Sequence, residues 1–332
     1  MDIKLQKVHG SENDFFILDE TLLAEPLTQI EIDKLRKSLC NRQSGLLEGA
    51  DGILLVEQTD EGSALAKMRV INSDGTEASM CGNGLRTVAR YLSEKHDKEF
   101  FTVETMFADL KVRKTVEFSD KVPAYQVEIS PVSFDKEAVS MNYSEETIIN
   151  EEIPALSETL KFSVVAVPNP HLIAFVDHEG LMNGELERIA GYVNGENPLF
   201  PDGINVSFVE ILGENELFVR TYERGVGLTS ACGTAMCASS LMYTLLYTKR
   251  FYEKITVRNV GGLVQTVVHE TGDGGYWMEL IGNATVTHTI QGSIAELMAG
   301  NFTALVIEET EEQTAYTEFL KQQAGGVRQQ FE

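Results

Sequence analysis

Two stretches of this chain, "NSDGTEASMCGNGLRTVARYL" (72–92) and "YERGVGLTSACGTAMCASSLMYTLL" (222–246), each set a cysteine between a polar turn and an apolar helix. Cys81 and Cys232 both precede a glycine, and both stand where the first backbone N–H groups of a helix lack intrahelical partners. Those N–H groups and the helix dipole favour negative charge, which pushes a thiol of reference pKa about 8.5 toward thiolate near pH 7. The same groups are suited to a substrate carboxylate. Cys40 and Cys237 sit inside helical patterns and read as small buried hydrophobes.

The spacing bears on what such a pair can do. Cys232 and Cys237 are five residues apart and project roughly 140° from each other on a helix. With no Cys-x-x-Cys or His-x-x-x-His pattern in the chain, a metal site is a poor reading, and no metal is expected. A redox dithiol lacks its usual Cys-x-x-Cys, and a cysteine protease needs one nucleophile rather than two equivalent ones. Two thiols across a cleft suit inversion at a carbon alpha to a carboxylate, which needs a base on one face and an acid on the other. The pair exchanges roles in the reverse direction, so no cofactor is expected.

The elements that position the cysteines form an internal repeat. At an offset of 151 residues, Arg69 falls on Arg220, Asn72 on Glu223, and Asp51-Gly52-Ile53 on Asp202-Gly203-Ile204. "GADGILLVE" and "FPDGINVSFVE" read as a turn entering an apolar strand, and "AKMRVI" and "LFVRTY" as further strands before each cysteine turn. "HGSENDFFILD" corresponds more loosely to "NPHLIAFVD". Each half thus reads strand, turn, strand, turn, cysteine, helix, which predicts two homologous domains facing each other with a ligand in the cleft. Leu85, Val88, Ala89 and Leu92 recur at helical spacing after Cys81. After Cys232 the apolar residues Met236, Leu241, Leu245 and Leu246 lie almost all round the helix, as a central helix wrapped by sheet requires. The fold class expected is mixed α/β (α+β), with two pseudo-symmetric domains.

A chain of 332 residues with 43% hydrophobic and 23% charged residues is long enough for two globular cores. Its formal charge of −24, with no segment rich in Lys and Arg, argues against nucleic acid or an anionic membrane as partner. No stretch approaches a membrane span, and the N-terminus shows no charged lead before an apolar run. Four scattered cysteines make no disulfide framework, so a cytoplasmic protein with reduced thiols is expected.

In their order along the chain, "HGSENDF", "NSDGTEASMCGNG", "PNPH", "FPDGINVSFVE" and "ERGVGLTSACGT" resemble the diaminopimelate epimerases, from residue 9 to about residue 293. The resemblance implies cofactor-independent epimerisation of LL-diaminopimelate to the meso form, on the route to lysine and peptidoglycan. It implies two α/β domains, each a sheet wrapped around a central helix: residues 1–122 with about 277–293, then 123–276, followed by an extension over 294–332. "YWMELIGNATVTHTIQG" would return to the first domain. Cys81 and Cys232 would be the paired acid and base. Gly82, Asn83, Gly233 and Thr234 would hold the reacting α-carboxylate, with Asn13 as a further contact. Asn72, Asn169, Asn205, Glu223 and Arg224 would read the distal amino acid end, Arg224 taking its carboxylate and Glu223 with the amides its ammonium. His171 and Glu223 would lie close enough to the thiols to tune their protonation.

Taken singly, each of these has a plainer reading: the Asn and Gly residues as turn formers, Glu223-Arg224 as a solvated pair, His171 as a core or turn histidine. Glu12, Leu228, Ala235 and the longer "GLLEGADG" turn depart from the family's usual residues. Two alternatives stand beside the epimerase: a racemase of the same fold acting on another amino acid, and a non-catalytic small-molecule binder. In the extension, Ala315, Tyr316, Phe319 and Leu320 share one helical face. That face predicts a helix docked either on its own chain or on a second copy, so a homodimer is among the expectations.

Overall fold

A computed structural model of the chain describes residues 2–59 and 62–323. They form two compact units, one running to Val127 and taking up Gly282–Gln323, the other Glu128–Ile281. The first unit contains β1 (Asp2–Gly10), β2 (Asn13–Asp19), α1 (Gln29–Leu39), β3 (Gly52–Glu57), β4 (Ala66–Asn72), β5 (Glu77–Ala78), α2 (Gly82–His96), β6 (Phe100–Glu104), β7 (Asp109–Lys114) and β8 (Ala124–Ile129), whose pairing with β7 ends at Val127. Its strands pair in the order β1-β2-β3-β4-β6-β7-β8, with β5 folded onto β4. The β2–β3 and β4–β6 pairs are parallel and the others antiparallel.

The second unit repeats this plan with β9 (Glu151–Glu152), β10 (Lys161–Val167), β11 (Asn169–Phe175), α3 (His178–Met182), α4 (Glu185–Val193), β12 (Asn205–Gly213), β13 (Glu216–Glu223), β14 (Gly227–Thr229), α5 (Gly233–Tyr243), β15 (Lys254–Asn259), β16 (Gly262–Glu270) and β17 (Tyr276–Asn283). Its order is β10-β11-β12-β13-β15-β16-β17, with β14 on β13 and the parallel pairs at β11–β12 and β13–β15. The repeat read from a few motifs therefore extends to each strand pair of these two strand orders. The segment expected to return whole to the first half divides instead. β17 pairs with β16 as far as Ile281, and β18 (Thr285–Ser293) then lies antiparallel to β1.

Both faces of each sheet are covered, which explains strands that read as continuous apolar runs such as "FFIL" and "ILLV" rather than as alternating ones. On the inner face α2 touches β1, β2, β3, β4 and β7, and α5 touches β10, β11, β12, β13, β15 and β16. Every residue of α5, "GTAMCASSLMY", is buried, and its small side chains let the strands approach closely. Leu245 and Leu246 depart from the expected face: they lie half-buried in a π-turn that follows α5. On the outer face of the first unit, Ile32, Leu35 and Leu39 of α1 pack with Ile3, Leu5, Phe16 and Leu18. In the second unit Leu186, Ile189, Ala190 and Val193 of α4 play that part.

After β18 come α6 (Ile294–Ala299), β19 (Val306–Glu309) and α7 (Glu312–Gln323). The docking helix packs on its own chain, burying Tyr316, Phe319 and Leu320. Tyr316 meets the His9 ring edge-on at 5.0 Å, and Phe319 stacks on Phe118 at 5.5 Å. Residues 324–332 of the expected extension lie outside the described residues. Among the described residues no helix is long and apolar enough to cross a membrane.

Candidate active site

In the first unit β4 ends at Asn72, a turn and β5 follow, and the chain reaches Cys81 as the N-cap of α2, in extended backbone at φ −140°, ψ 108°. The sulfur accepts the Gly84 N–H at 3.4 Å and faces Asn13 Oδ1 at 3.6 Å. Asn13 Oδ1 also accepts Asn83 Nδ2 at 3.2 Å. Behind Asn13, Asp51 Oδ2 accepts Asn13 Nδ2 at 2.7 Å and the Asp14 N–H at 3.2 Å, while Asp51 Oδ1 takes Arg42 Nη2 at 2.6 Å. Arg42 forks onto Asp14 as well, at 2.6 and 3.1 Å. Asn13 is placed by the β1–β2 turn, whose two central residues, Ser11 (φ 54°) and Glu12 (φ 65°), are both left-handed without being glycine. Ser11 is held there by its N–H on Asn283 Oδ1 at 2.8 Å.

Beneath the start of α2 lies a fully buried arginine. Arg86 donates to Asn283 O at 3.2 Å, Ser11 Oγ at 3.3 Å and Gly82 O at 3.4 Å. Gly10 makes room for this approach, since a Cβ there would lie 2.9 Å from Asn83 O and 2.8 Å from Arg86 Nη2. His9, also buried, is lowered to about 4 by desolvation and is neutral at pH 7.

The second unit presents Cys232 as the N-cap of α5 in nearly the same backbone, φ −123° and ψ 106°. Here the sulfur faces Thr234 Oγ1 at 3.5 Å, and Thr234 Oγ1 lies 3.1 Å from His171 Nε2. His171 is wholly buried, and burial lowers it to about 3, so the ring is neutral throughout the physiological range. Thr234 stands at the repeat position of Asn83, and Cys237 at that of Arg86. The backbone frame is thus duplicated, while Asn13 stands beside one thiol and Thr234 beside the other.

The expected site residues sort into clusters within each unit. Asn13, Gly82 and Asn83 gather at Cys81; His171, Gly233 and Thr234 gather at Cys232. Asn205 Oδ1 accepts the Arg224 N–H at 2.9 Å, and the exposed Arg224 side chain donates to Asp202 O at 2.9 Å. Glu223 ends β13 and Asn169 opens β11. Asn72 donates Nδ2 to Thr76 at 2.9 Å inside its own turn. Asp51, Arg86 and His9 escaped the sequence reading. Asp51 was visible as half of the Asp51/Asp202 match, but an aspartate before glycine reads first as a turn former.

The family model and the relatives of known sequence point to one family. A family model described as Diaminopimelate epimerase matches residues 5–130 and 163–286. The Diaminopimelate epimerase of Enterococcus faecalis is 65% identical over 321 residues, covering 97% of this chain and 98% of that protein. That of Lactiplantibacillus plantarum is 55% identical, covering 96% and 98%. Among solved structures, a Bacillus anthracis phenazine biosynthesis protein of the PhzF family aligns with TM-score 0.61 at 16% identity, over 88% of this chain and 99% of that one. A hydroxyproline epimerase from Agrobacterium vitis aligns with TM-score 0.59 at 14% identity, over 88% and 91%. The last two are likenesses of fold.

Proposed function

This chain belongs to the diaminopimelate epimerase family, and on that footing we propose that it converts LL-diaminopimelate to the meso form, in lysine and peptidoglycan biosynthesis. The observation that carries the reading is the pair of cysteines capping the equivalent helices of a duplicated fold, each beside a polar side chain. One thiolate removes the α-proton and the other thiol delivers a proton to the opposite face, the two exchanging roles in reverse. Backbone N–H groups at Gly82, Asn83, Gly233 and Thr234 hold the α-carboxylate, where they stabilise the charge that develops as the α-proton leaves. Asn72, Asn169, Asn205, Glu223 and Arg224 read the distal end. Since Asn205 Oδ1 already accepts from the Arg224 backbone, Asn205 acts there through its Nδ2 or through its hold on Arg224. His171, being neutral, serves as a hydrogen-bond partner and not as a charged acid.

This chemistry needs reduced thiols, which supports a cytoplasmic setting. A homodimer belongs to the same reading: β19 is paired to β18 at the outer side of the first unit's sheet and exposes Val306 and Ile307, surface that a second copy can cover. The test of function is solvent-deuterium incorporation at Cα, with no cofactor added, for LL-diaminopimelate beside the common L-amino acids. Exchange confined to diaminopimelate is expected. Exchange with histidine or glutamate but not with diaminopimelate would replace this reading with a racemase of the same fold.

A further inference from the structure

We propose that the two thiols are held by hydrogen bonds of opposite sense: the Thr234 hydroxyl, aimed by His171, donates to the Cys232 sulfur, whereas the Asn13 amide oxygen, aimed by Asp51, accepts the Cys81 proton. Thr234, His171 and Asp51 are then positioning residues. The inference deepens the two-thiol reading and rests on it for its catalytic meaning.

The directions follow from what each atom can do. Arg42 Nη2 and the Asp14 N–H both donate to the Asp51 carboxylate, whose oxygens only accept, so the end of the Asn13 amide that meets it is a donor too. Asn13 must therefore turn its nitrogen to Asp51 and its oxygen to Cys81 and Asn83, where an oxygen only accepts. In the second unit the neutral His171 carries one ring proton. Among the described residues its buried Nδ1 meets no hydrogen-bond partner. An orphaned buried N–H is rarer than an orphaned acceptor, which puts the proton on Nε2, 3.1 Å from Thr234 Oγ1. The hydroxyl's own hydrogen is then left for Cys232, 3.5 Å away.

Charged groups surround both thiols besides these bonds. Arg86 lies beneath Gly82, Asp51 and Asp14, paired with Arg42, lie behind Asn13, Asp74 occupies the turn after β4, and Glu77 opens β5. On the other side Glu223 and Arg224 precede β14, and His171 backs Thr234. Comparing substitutions at one thiol at a time separates bond direction from this background.

The test is the pH dependence of iodoacetamide alkylation at each cysteine, read by peptide mass. Thr234→Val should raise the Cys232 midpoint by about one pH unit, a tenfold slower reaction below it, with Cys81 unmoved and Thr234→Ser restoring the wild-type value. Asp51→Asn can donate to Asn13, lets its amide turn, and should lower the Cys81 midpoint. In an Asn13→Ala background that shift should shrink to the effect of the lost charge. An unchanged Cys232 midpoint in Thr234→Val, or equal movement of both thiols, overturns the Thr234 assignment. An undiminished Asp51 shift in the Asn13→Ala background overturns the Asp51 one, and this arm reads out even where Thr234→Val fails to fold. Alkylation uses no substrate, so failure of wild-type enzyme to exchange diaminopimelate would strike the substrate reading alone.

Discussion

Replacing Glu312 with alanine should cost the first unit about 3 kcal/mol, the lower end of what breaking a buried ion pair costs. The carboxylate takes Arg90 Nη1 and Nη2 at 2.6 and 2.7 Å and also the Val286 N–H at 2.9 Å, so it ties α7 to both α2 and β18. The Arg90 side chain is only 11% exposed. Its charge is not stranded by the loss, since Glu94 and Ala284 O still accept from it at 2.7 Å, and this favours the lower end of the range. The adjacent pair of Glu311 with Lys121 is fully solvated, and Glu311→Ala should cost far less than Glu312→Ala. For a unit of this size, 3 kcal/mol corresponds to a fall in melting temperature of roughly 6–12 °C. Urea unfolding of both variants, with thermal melting alongside, measures the difference. Equal small losses for Glu312→Ala and Glu311→Ala would refute the view that α7 is fastened through Arg90.

The acid limb of stability has an identifiable contributor. Burial raises the Asp19 carboxyl, but hydrogen bonds from Lys95, Thr21 and Tyr91 outweigh burial and hold it below its ordinary value. A depressed folded pKa stabilises above the unfolded value and loses that stability as pH falls through the folded one. Asp19→Asn should therefore be less stable than wild type at neutral pH, and the gap should close below pH about 4. Unfolding midpoints across that range test it, and a gap independent of pH would count against it. Gly10→Ala should impair catalysis more than folding, because its Cβ would press on Asn83 O and Arg86 Nη2 at the start of α2. A rate and a melting temperature both near wild type would show that the approach tolerates a methyl group.

How much of this was legible beforehand depended on whether a residue's partner was local. The turn, cysteine and helix order lies in contiguous stretches, so both N-caps could be located, as could the Leu85, Val88, Ala89 and Leu92 face that α2 buries. Arg86 was not legible, because an arginine in a helix is expected at the surface, and its partners Ser11 and Asn283 come from distant strands. Asp51 reads as a turn former until Asn13, from another strand, is seen to donate to it. The face of α7 was visible as a helical stripe, yet its partners His9 and Phe118 come from a strand and a loop far away in sequence. Leu245 and Leu246 continue the apolar run of α5, but the helix widens into a π-turn there and turns them half outward.

The proposal that the two capping cysteines share one epimerisation, one removing the α-proton and the other delivering a proton to the opposite face, is tested most directly by the rate of diaminopimelate epimerisation in the single variants Cys81→Ala and Cys232→Ala. Both should lose several orders of magnitude in both directions, because an acid and a base that act as a unit fail together. Cys40→Ala is the control: its buried thiol, pushed up to about 12 by desolvation, takes no part, and its rate should stay near wild type. Near-normal epimerisation by Cys232→Ala with an inactive Cys81→Ala would contradict the account, leaving the duplication of the fold without a duplicated chemistry.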